Sequence, residues 1–353
     1  MKKIVLTGGG TAGHVNPHFA LIPHLQKSGW EIHYIGTKDG IERELIEPHL
    51  PYNPISAGKL RRYFDLKNLS DPFQVLKGIL EAHRVLRRIR PRVVFSKGGF
   101  VSVPVTIAAW LLRIPVVLHE SDLTPGLANK LSLPFARELC LTFPDSLRYV
   151  KGKGTVTGTP IRADLLEGDK SEGLRLCRFT ADHPTLLVMG GSQGAGIFNQ
   201  IVRENLTALA RRYQIIHLCG RGNVVPTITH PRYCQVEYAK DELAHLLAAA
   251  DFVLSRAGAN AIFELLALAK PHILVPLSKK ASRGDQILNA ESFAKQGFSL
   301  VIQEEEFNLQ SLQDNLSHLE ANQEEFIKKM QTSQVKDGVK NVLCIINRAA
   351  TRN

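Results

Sequence analysis

No run of about 18 apolar residues occurs in the chain, so no helix should cross a bilayer. No Cys-x-x-Cys pair occurs either. The five cysteines, Cys140, Cys177, Cys219, Cys234 and Cys344, are odd in number and scattered. That suits a reducing compartment and argues against a structural zinc site. Asp-x-Asp, the acidic pair with which many transferases clamp a divalent cation, is missing as well. Nor is there room for a signal peptide, because the hydrophobic run Lys3–Leu6 starts a strand within three residues of the first. The expected compartment is therefore the cytosol.

Acidic residues are in deficit: 44 Lys/Arg face 33 Asp/Glu, a net charge of +11. Such a balance suggests nucleic acid, an anionic membrane surface or an anionic substrate as partner. Between Lys59 and Arg92 ten Lys/Arg stand against three Asp/Glu, so this one segment supplies +7. No basic–aromatic stacking motif accompanies it, which disfavours nucleic acid.

At 353 residues and 44% hydrophobic content, two soluble domains are the natural reading. Strand-like runs at 4–7, 32–35, 93–96 and 116–119 alternate with helical patterns at 18–28, 41–49, 72–90 and 102–112. This rhythm predicts a parallel sheet covered by helices. A strand at 155–157 ends in Gly158-Thr159-Pro160, a turn that reads as a domain exit, and residues 167–173 read as loop. The rhythm restarts with a strand at 185–189, a glycine turn at 190–195 and a helix at 197–211, followed by strands at 215–218, 252–254 and 273–275. We expect an α/β protein of two Rossmann-like domains, 1–160 and 161–333, facing each other across a cleft. A tail helix, about 334–353, can cross back onto the first domain.

The stretch Gly8-Gly9-Gly10-Thr11-Ala12-Gly13-His14 lies between the first strand and the first helix. Glycine lets a backbone approach a phosphate, and the first amides of a helix point at it, so this turn reads as a ready anion site or as a plain structural turn. A dinucleotide cofactor would need an acid closing the second strand, which ends Tyr34-Ile35-Gly36-Thr37. NAD is thereby disfavoured. In the second half, Arg256–Glu264 opens a helix with small residues, leaving room for phosphates; Glu264 is placed to accept from a ribose diol. Gln286 and Asn289, three apart on one helical face, could read sugar hydroxyls.

These motifs, GGGTAGH (8–14), SKGGFVSVP (96–104), PVVLHE (115–120), GTPIR (158–162), GGSQGA (190–195), RAGANAIFE (256–264) and DQILNA (285–290), run in one order along nearly the whole chain. In that order the chain resembles the MurG family of glycosyltransferases. The resemblance implies a GT-B fold with no metal or other cofactor. It implies inverting transfer of N-acetylglucosamine from UDP-N-acetylglucosamine to the C4 hydroxyl of lipid I, undecaprenyl-diphospho-N-acetylmuramoyl-pentapeptide. The product is lipid II, for peptidoglycan. Thr11, Ala12 and Gly13 would line the donor site, with Arg162 and Ser192 at the diphosphate. Ala259, Asn260, Ala261 and Glu264 would hold the uridine diphosphate, and Gln286 would read the sugar. Asp122 stands where an asparagine donor contact is usual, and Ala239, near the uracil, where isoleucine is familiar. Other cell-wall synthesis proteins are candidate partners. A UDP-N-acetylglucosamine 2-epimerase or other sugar-nucleotide enzyme of the same architecture is one rival reading, and a basic nucleotide- or nucleic-acid-binding module is the non-enzyme rival.

Without a metal, the leaving diphosphate must be met by helix N-termini, loop amides, Ser192 and Arg162. The attacking hydroxyl needs a base. His14 is the first choice, because an imidazole titrates near neutral pH, and Glu120 would orient or assist it; a capping histidine with no proton-transfer role is the other reading of His14. His14 and His18, four apart, lack the acidic or cysteine partner that would complete a metal set. Gly98, Gly99 and Phe100 form a third glycine turn, placed to receive the acceptor diphosphate or serving only as a turn. The helix at 72–90 should pack Val75, Ile79, Ala82, Leu86 and Ile89 on the sheet and turn Phe73, Leu76 and Leu80 outward among Lys77, Arg84, Arg87 and Arg88. Apolar residues ringed by cations suit an anionic lipid surface or a helix clamped between two elements with cations at its rim; the lipid-linked acceptor that the resemblance implies favours the first, with a peripheral position on the cytoplasmic face of the membrane.

Overall fold

The computed structural model describes residues 2–58, 71–150, 152–191, 193–279, 284–333, 335 and 337–351. The chain divides into two compact units, Met1–Arg162 with Asp337–Asn353, and Ala163–Lys336.

The first unit is built on seven strands: β1 (Lys2–Thr7), β2 (Trp30–Thr37), β3 (Tyr52–Ile55), β4 (Val93–Ser96), β5 (Val116–Glu120), β6 (Glu138–Leu141) and β7 (Gly154–Val156). All pair in parallel, in the order β3-β2-β1-β4-β5-β6-β7. Helices cover both faces, so the central strands are apolar throughout rather than alternating. Of the helices, α1 (Asn16–Lys27), α2 (Ile41–Ile46), α3 (Asp71–Ile89), α4 (Ser102–Leu111) and α5 (Leu127–Ser132) precede the chain's exit. Strands β3 and β6 carry no clear period in the sequence. Pro54 sits in β3, which an edge position tolerates because one side of the strand needs no ladder donors. Helix α3 stops where Arg90 takes a left-handed φ of 54°.

Two apolar layers sandwich this sheet. One joins β1, β2, β4 and α1 to the C-terminal helix, Gly338–Thr351, through Val342, Ile345, Ile346, Ala349 and Ala350. The other packs Ala82, Leu86 and Ile89 of α3 and Val105, Ala108 and Ala109 of α4 on the opposite face. Burying Val342, Ile345 or Ile346 is worth roughly 1.5–3 kcal/mol each, an upper estimate. Asn341 Nδ2 also donates to Thr157 O at 3.0 Å, and Arg348 pairs with Glu138 at 2.6 Å, tying the tail to β6 and the segment after β7.

The second unit repeats the plan with β8 (Thr185–Met189), β9 (Gln214–Leu218), β10 (Tyr233–Val236), β11 (Phe252–Ser255), β12 (His272–Leu274) and β13 (Ser299–Val301). Their order is β10-β9-β8-β11-β12-β13, again all parallel. Its helices are α6 (Ala163–Leu166), α7 (Lys170–Cys177), α8 (Gly196–Glu204), α9 (Leu206–Ala210), α10 (Leu243–Ala249), α11 (Ala259–Ala267), α12 (Asp285–Lys295), α13 (Leu309–Ala321) and α14 (Gln323–Gln331). Two of these correct the sequence reading. The polar stretch 167–173 is loop only as far as Asp169, which accepts from Glu172 N at 2.7 Å and caps α7, so residues 170–173 are helical. The expected single helix 197–211 breaks at Asn205, whose side chain donates back to Ile201 O at 2.9 Å.

In each sheet the strand order reverses beside the first strand, between β1 and β4 and between β8 and β11. Ligands of open parallel sheets bind outside the carboxyl ends of the strands at such a reversal. The glycine turns 8–13 and 98–99 follow β1 and β4; the turns 190–194 and 256–258 follow β8 and β11.

Candidate active site

In the first unit the two turns at the reversal touch. Gly99, at φ 83°, lies so close to Gly9 that a Cβ on it would fall 2.2 Å from Gly9 O. Beyond Gly10 the chain makes a 3-10 turn, Ala12–His14, before α1 begins. Thr11 is exposed; Ala12, Gly13 and His14 are half-buried. Thr11 Oγ1 lies 3.1 Å from His14 Nδ1, and His14 N donates to Thr11 O at 3.1 Å. The imidazole is thus held by the turn that carries it.

The same turn corrects one expectation. It is not an open anion site at Gly10, because a carboxylate already fills it: Glu42 Oε2 accepts from Gly10 N at 3.1 Å. Glu42 reaches the turn from α2, five residues past Thr37, whose N and Oγ1 both donate to Glu42 Oε1 at 3.0 and 2.6 Å. His18 is no partner for a metal at His14 either. It is fully buried edge-on to Tyr34 and Phe95, with ring centroids at 5.3 and 5.7 Å. Burial, with Lys97 and His14 nearby, holds its pKa well below the ordinary value, so it stays neutral. Among the described residues no group of three or more His, Cys, Asp or Glu is arranged to hold a metal ion.

Behind the third glycine turn lies a buried cation that the sequence reading passed over. Lys97 Nζ donates to His119 Nδ1 at 2.8 Å and to Ser121 Oγ at 2.6 Å. His119 Nε2 in turn lies 3.1 Å from Gly158 O, so Nε2 carries the proton and Nδ1 accepts. Burial brings the Lys97 ammonium down to about pKa 8 despite the opposing pull of Glu120 and Asp122. Glu120 itself is buried, and its carboxyl is raised by that burial and by Asp122. Its oxygens accept from Gly126 N at 2.8 Å, Asn129 Nδ2 at 2.9 Å and Asp122 N at 3.1 Å. These bonds shape the turn that carries Asp122, which is half-buried. Gly98 is buried, Gly99 half-buried and Phe100 exposed in the turn that precedes α4. Arg162 is the last residue of the first stretch of this unit.

Helix α3 shows both of its faces. Ala82, Leu86 and Ile89 are buried, whereas Phe73, Leu76 and Leu80 are 74%, 57% and 54% exposed. Lys77, Arg84, Arg87 and Arg88 are exposed beside them. Lys77 lies 3.9 Å from Glu81, and Arg88 donates to Asn53 Oδ1 at 2.8 Å. The neighbouring α4 ends in Trp110 and Leu111, also more than half exposed. The basic residues Lys59, Arg61, Arg62 and Lys67 lie outside the described residues, as does Ser192. Among the described residues no helix is long and apolar enough to cross a membrane.

In the second unit, the turn after β8 is closed by Gly194, where a Cβ would fall 1.9 Å from Cys219 O. Beside it, Arg256 anchors the turn after β11. Its guanidinium donates to Val275 O at 3.1 Å, pairs with Glu304 and lies 4.8 Å over the Phe198 ring. Asn289 is fully buried and donates to Ala257 O at 3.2 Å. It braces this turn, which corrects its expected place among residues reading a sugar. The turn delivers α11, which starts after Gly258 with no side chain capping its amides. Ala259 is buried; Asn260, Ala261 and Glu264 are half-buried. Gln286 accepts from Leu277 N at 3.1 Å and is half-buried on α12. Ala239 is buried in the segment after β10. The arrangement offers an uncapped helix N-terminus at a sheet's reversal, suited to an anion.

The N-terminal domain of glycosyltransferase family 28 matches residues 4–140, and the C-terminal domain of that family matches residues 185–342. A Clostridium tetani protein named UDP-N-acetylglucosamine–N-acetylmuramyl-(pentapeptide) pyrophosphoryl-undecaprenol N-acetylglucosamine transferase is 55% identical over 353 residues, covering 99% of each chain. A Clostridium perfringens protein of the same name is 54% identical over 351 residues, covering 99% of this chain and 98% of its own. Among solved structures, Acinetobacter baumannii MurG superposes with a TM-score of 0.77 at 25% identity, over 99% of this chain and 100% of that one. A UDP-GlcNAc 2-epimerase from Neisseria meningitidis, bound to UDP-GlcNAc, superposes with a TM-score of 0.69 at 15% identity over 100% of both, a likeness of fold alone. These matches show the GT-B fold expected from the sequence.

Proposed function

The chain belongs to glycosyltransferase family 28, in its MurG branch, and from that membership we propose that it moves N-acetylglucosamine from UDP-N-acetylglucosamine to the C4 hydroxyl of lipid I, giving lipid II. The observation that carries the reading is the end-to-end likeness to the two clostridial transferases. The 2-epimerase reading rests on fold alone and is the weaker one.

The acceptor oxygen attacks the anomeric carbon of the donor sugar as the bond to the uridine diphosphate breaks, so configuration inverts and the electron pair leaves with the diphosphate. The proton of the attacking hydroxyl goes to His14. With Nδ1–H donating to Thr11 Oγ1, Nε2 is the basic nitrogen. The leaving diphosphate is met by the first-turn amides of α11 at Ala259, Asn260 and Ala261, together with Ser192 and Arg162. Fixed dipoles of this kind need no reorganisation as charge develops. Glu264 accepts from the ribose diol, Gln286 reads the sugar, and Ala239 lies at the uracil. Thr11, Ala12, Gly13 and Asp122 complete the donor site. Glu120 holds the turn of Asp122. Gly98, Gly99 and Phe100 receive the diphosphate of the acceptor.

The acceptor is a lipid, and α3 suits a protein that meets it at the bilayer. Phe73, Leu76 and Leu80, with Lys77 and Arg84 around them, seat the first unit peripherally on anionic phospholipid at the cytoplasmic face.

Titration calorimetry with UDP-N-acetylglucosamine, followed by product analysis with a lipid I analogue, tests the reaction. Binding plus a disaccharide-lipid is expected; free epimer, or no binding, would reject it. His14→Ala should lower turnover by about 100-fold or more while UDP still binds, because general-base assistance is worth that much. Near-normal turnover would reject His14 as base.

A further inference from the structure

Glu42 has no part in the scheme above, yet it is fully buried beside the turn that carries the base. Its carboxylate accepts from Gly10 N on one oxygen and from both donors of Thr37 on the other. The space for it is made by missing side chains: a Cβ on Gly9 would fall 2.4 Å from Glu42 Cδ, and one on Gly40 2.4 Å from its carboxylate oxygen. Tyr52 OH donates to Thr37 O at 2.6 Å and closes the far side. Gly10 is at φ 86°. The next residue, Thr11, holds the His14 ring. One carboxylate therefore fixes the residue from which the Thr11–His14 turn departs.

We propose that Glu42 is a positioning residue for the transfer, setting the Gly10 turn and, through Thr11, the aim of the His14 imidazole at the acceptor hydroxyl. The inference rests on His14 as the base, as read above. Small displacements of a reacting group are costly: about 1 Å of misplacement can lose on the order of 100-fold in rate.

Glu42→Gln tests it selectively. All the partners of the carboxylate named above donate. If the new amide's oxygen stays with Thr37, its NH2 meets the Gly10 N–H, so the bond that is lost is the one to the turn. The expected result is a kcat lower by about 10- to 100-fold with a clearly smaller rise in the KM for UDP-N-acetylglucosamine, since Thr11, Ala12 and Gly13 ride on the same turn; a fall in kcat that exceeds the rise in KM marks lost alignment beyond lost binding. In a His14→Ala background the same substitution should cost nothing further, since residues acting as one unit are not additive. Thr37→Val is the control for folding. It removes only the hydroxyl bond and leaves those from Thr37 N and Gly10 N, so it should lower the melting temperature and lower kcat far less than Glu42→Gln does. A wild-type kcat in Glu42→Gln overturns the proposal, as does a kcat that falls in Thr37→Val as far as in Glu42→Gln, or a loss that adds in full to that of His14→Ala. Near-normal turnover of His14→Ala would overturn the base assignment and this inference together. An impaired His14→Ala with an unimpaired Glu42→Gln would overturn this inference alone.

Discussion

A lysine held at the end of β4 behind a glycine turn is costly, and its cost depends on pH. Lys97 loses its proton near pH 8 in the folded protein and near 10.5 in the open chain. Below about 8 both states are charged and the fold bears the full desolvation cost. Between the two values the unfolded chain binds more protons at this residue, so the share of stability that Lys97 takes away shrinks as pH rises. Urea midpoints of the native protein measured against Lys97→Met should differ by an amount that changes from pH 7.5 to 10, the native chain gaining on the variant. A pH-independent difference would mean that Lys97 is not desolvated. The same residue shows where reading the sequence stopped. In Ser96-Lys97-Gly98 the lysine looks like any cation beside a turn; only the packing of β4 against β5 makes His119 and Ser121 its acceptors. Glu42 was hidden differently. It stands on α2, and only the fold brings its carboxylate to Gly10 N.

At the scale of the element, helical periodicity was readable and not every strand was. The buried stripe of α3 follows the spacing of its apolar residues, and so does the exposure of Phe73, Leu76 and Leu80. Strands β3 and β10 occupy sheet edges and are four residues each, too short for a period to declare itself. The exposed stripe of α3 carries a prediction. Liposome flotation should show binding that rises with the anionic lipid fraction and weakens in salt, and Phe73→Ser/Leu80→Ser should reduce it by about 100-fold or more, each lost contact removing roughly 1.5–3 kcal/mol of burial. Binding indifferent to both charge and the double substitution would remove the membrane role from this helix.

For the whole molecule, the two copies of a strand–glycine turn–helix opening, about half the chain apart, were enough to expect two parallel sheets. What composition could not say is how the chain's end is used. Val342, Ile345 and Ile346 have an amphipathic period that would suit any helix-binding face, and only the fold assigns them to the layer under β1, β2 and β4. A chain ending at Lys336 should therefore lose the thermal transition of the first unit and keep that of the second, which UDP should still raise by mass action. Loss of both transitions, or of neither, would contradict this division. The sheet of the first unit also has an unusual history during synthesis. The ribosome must make residues 163–336 after the seven strands are out and before Gly338–Thr351 emerges. At ordinary elongation speed that interval is roughly 10–40 s. For that time one greasy side of the nascent lobe lies open, so the lobe made first matures last, and chaperones have their opening there.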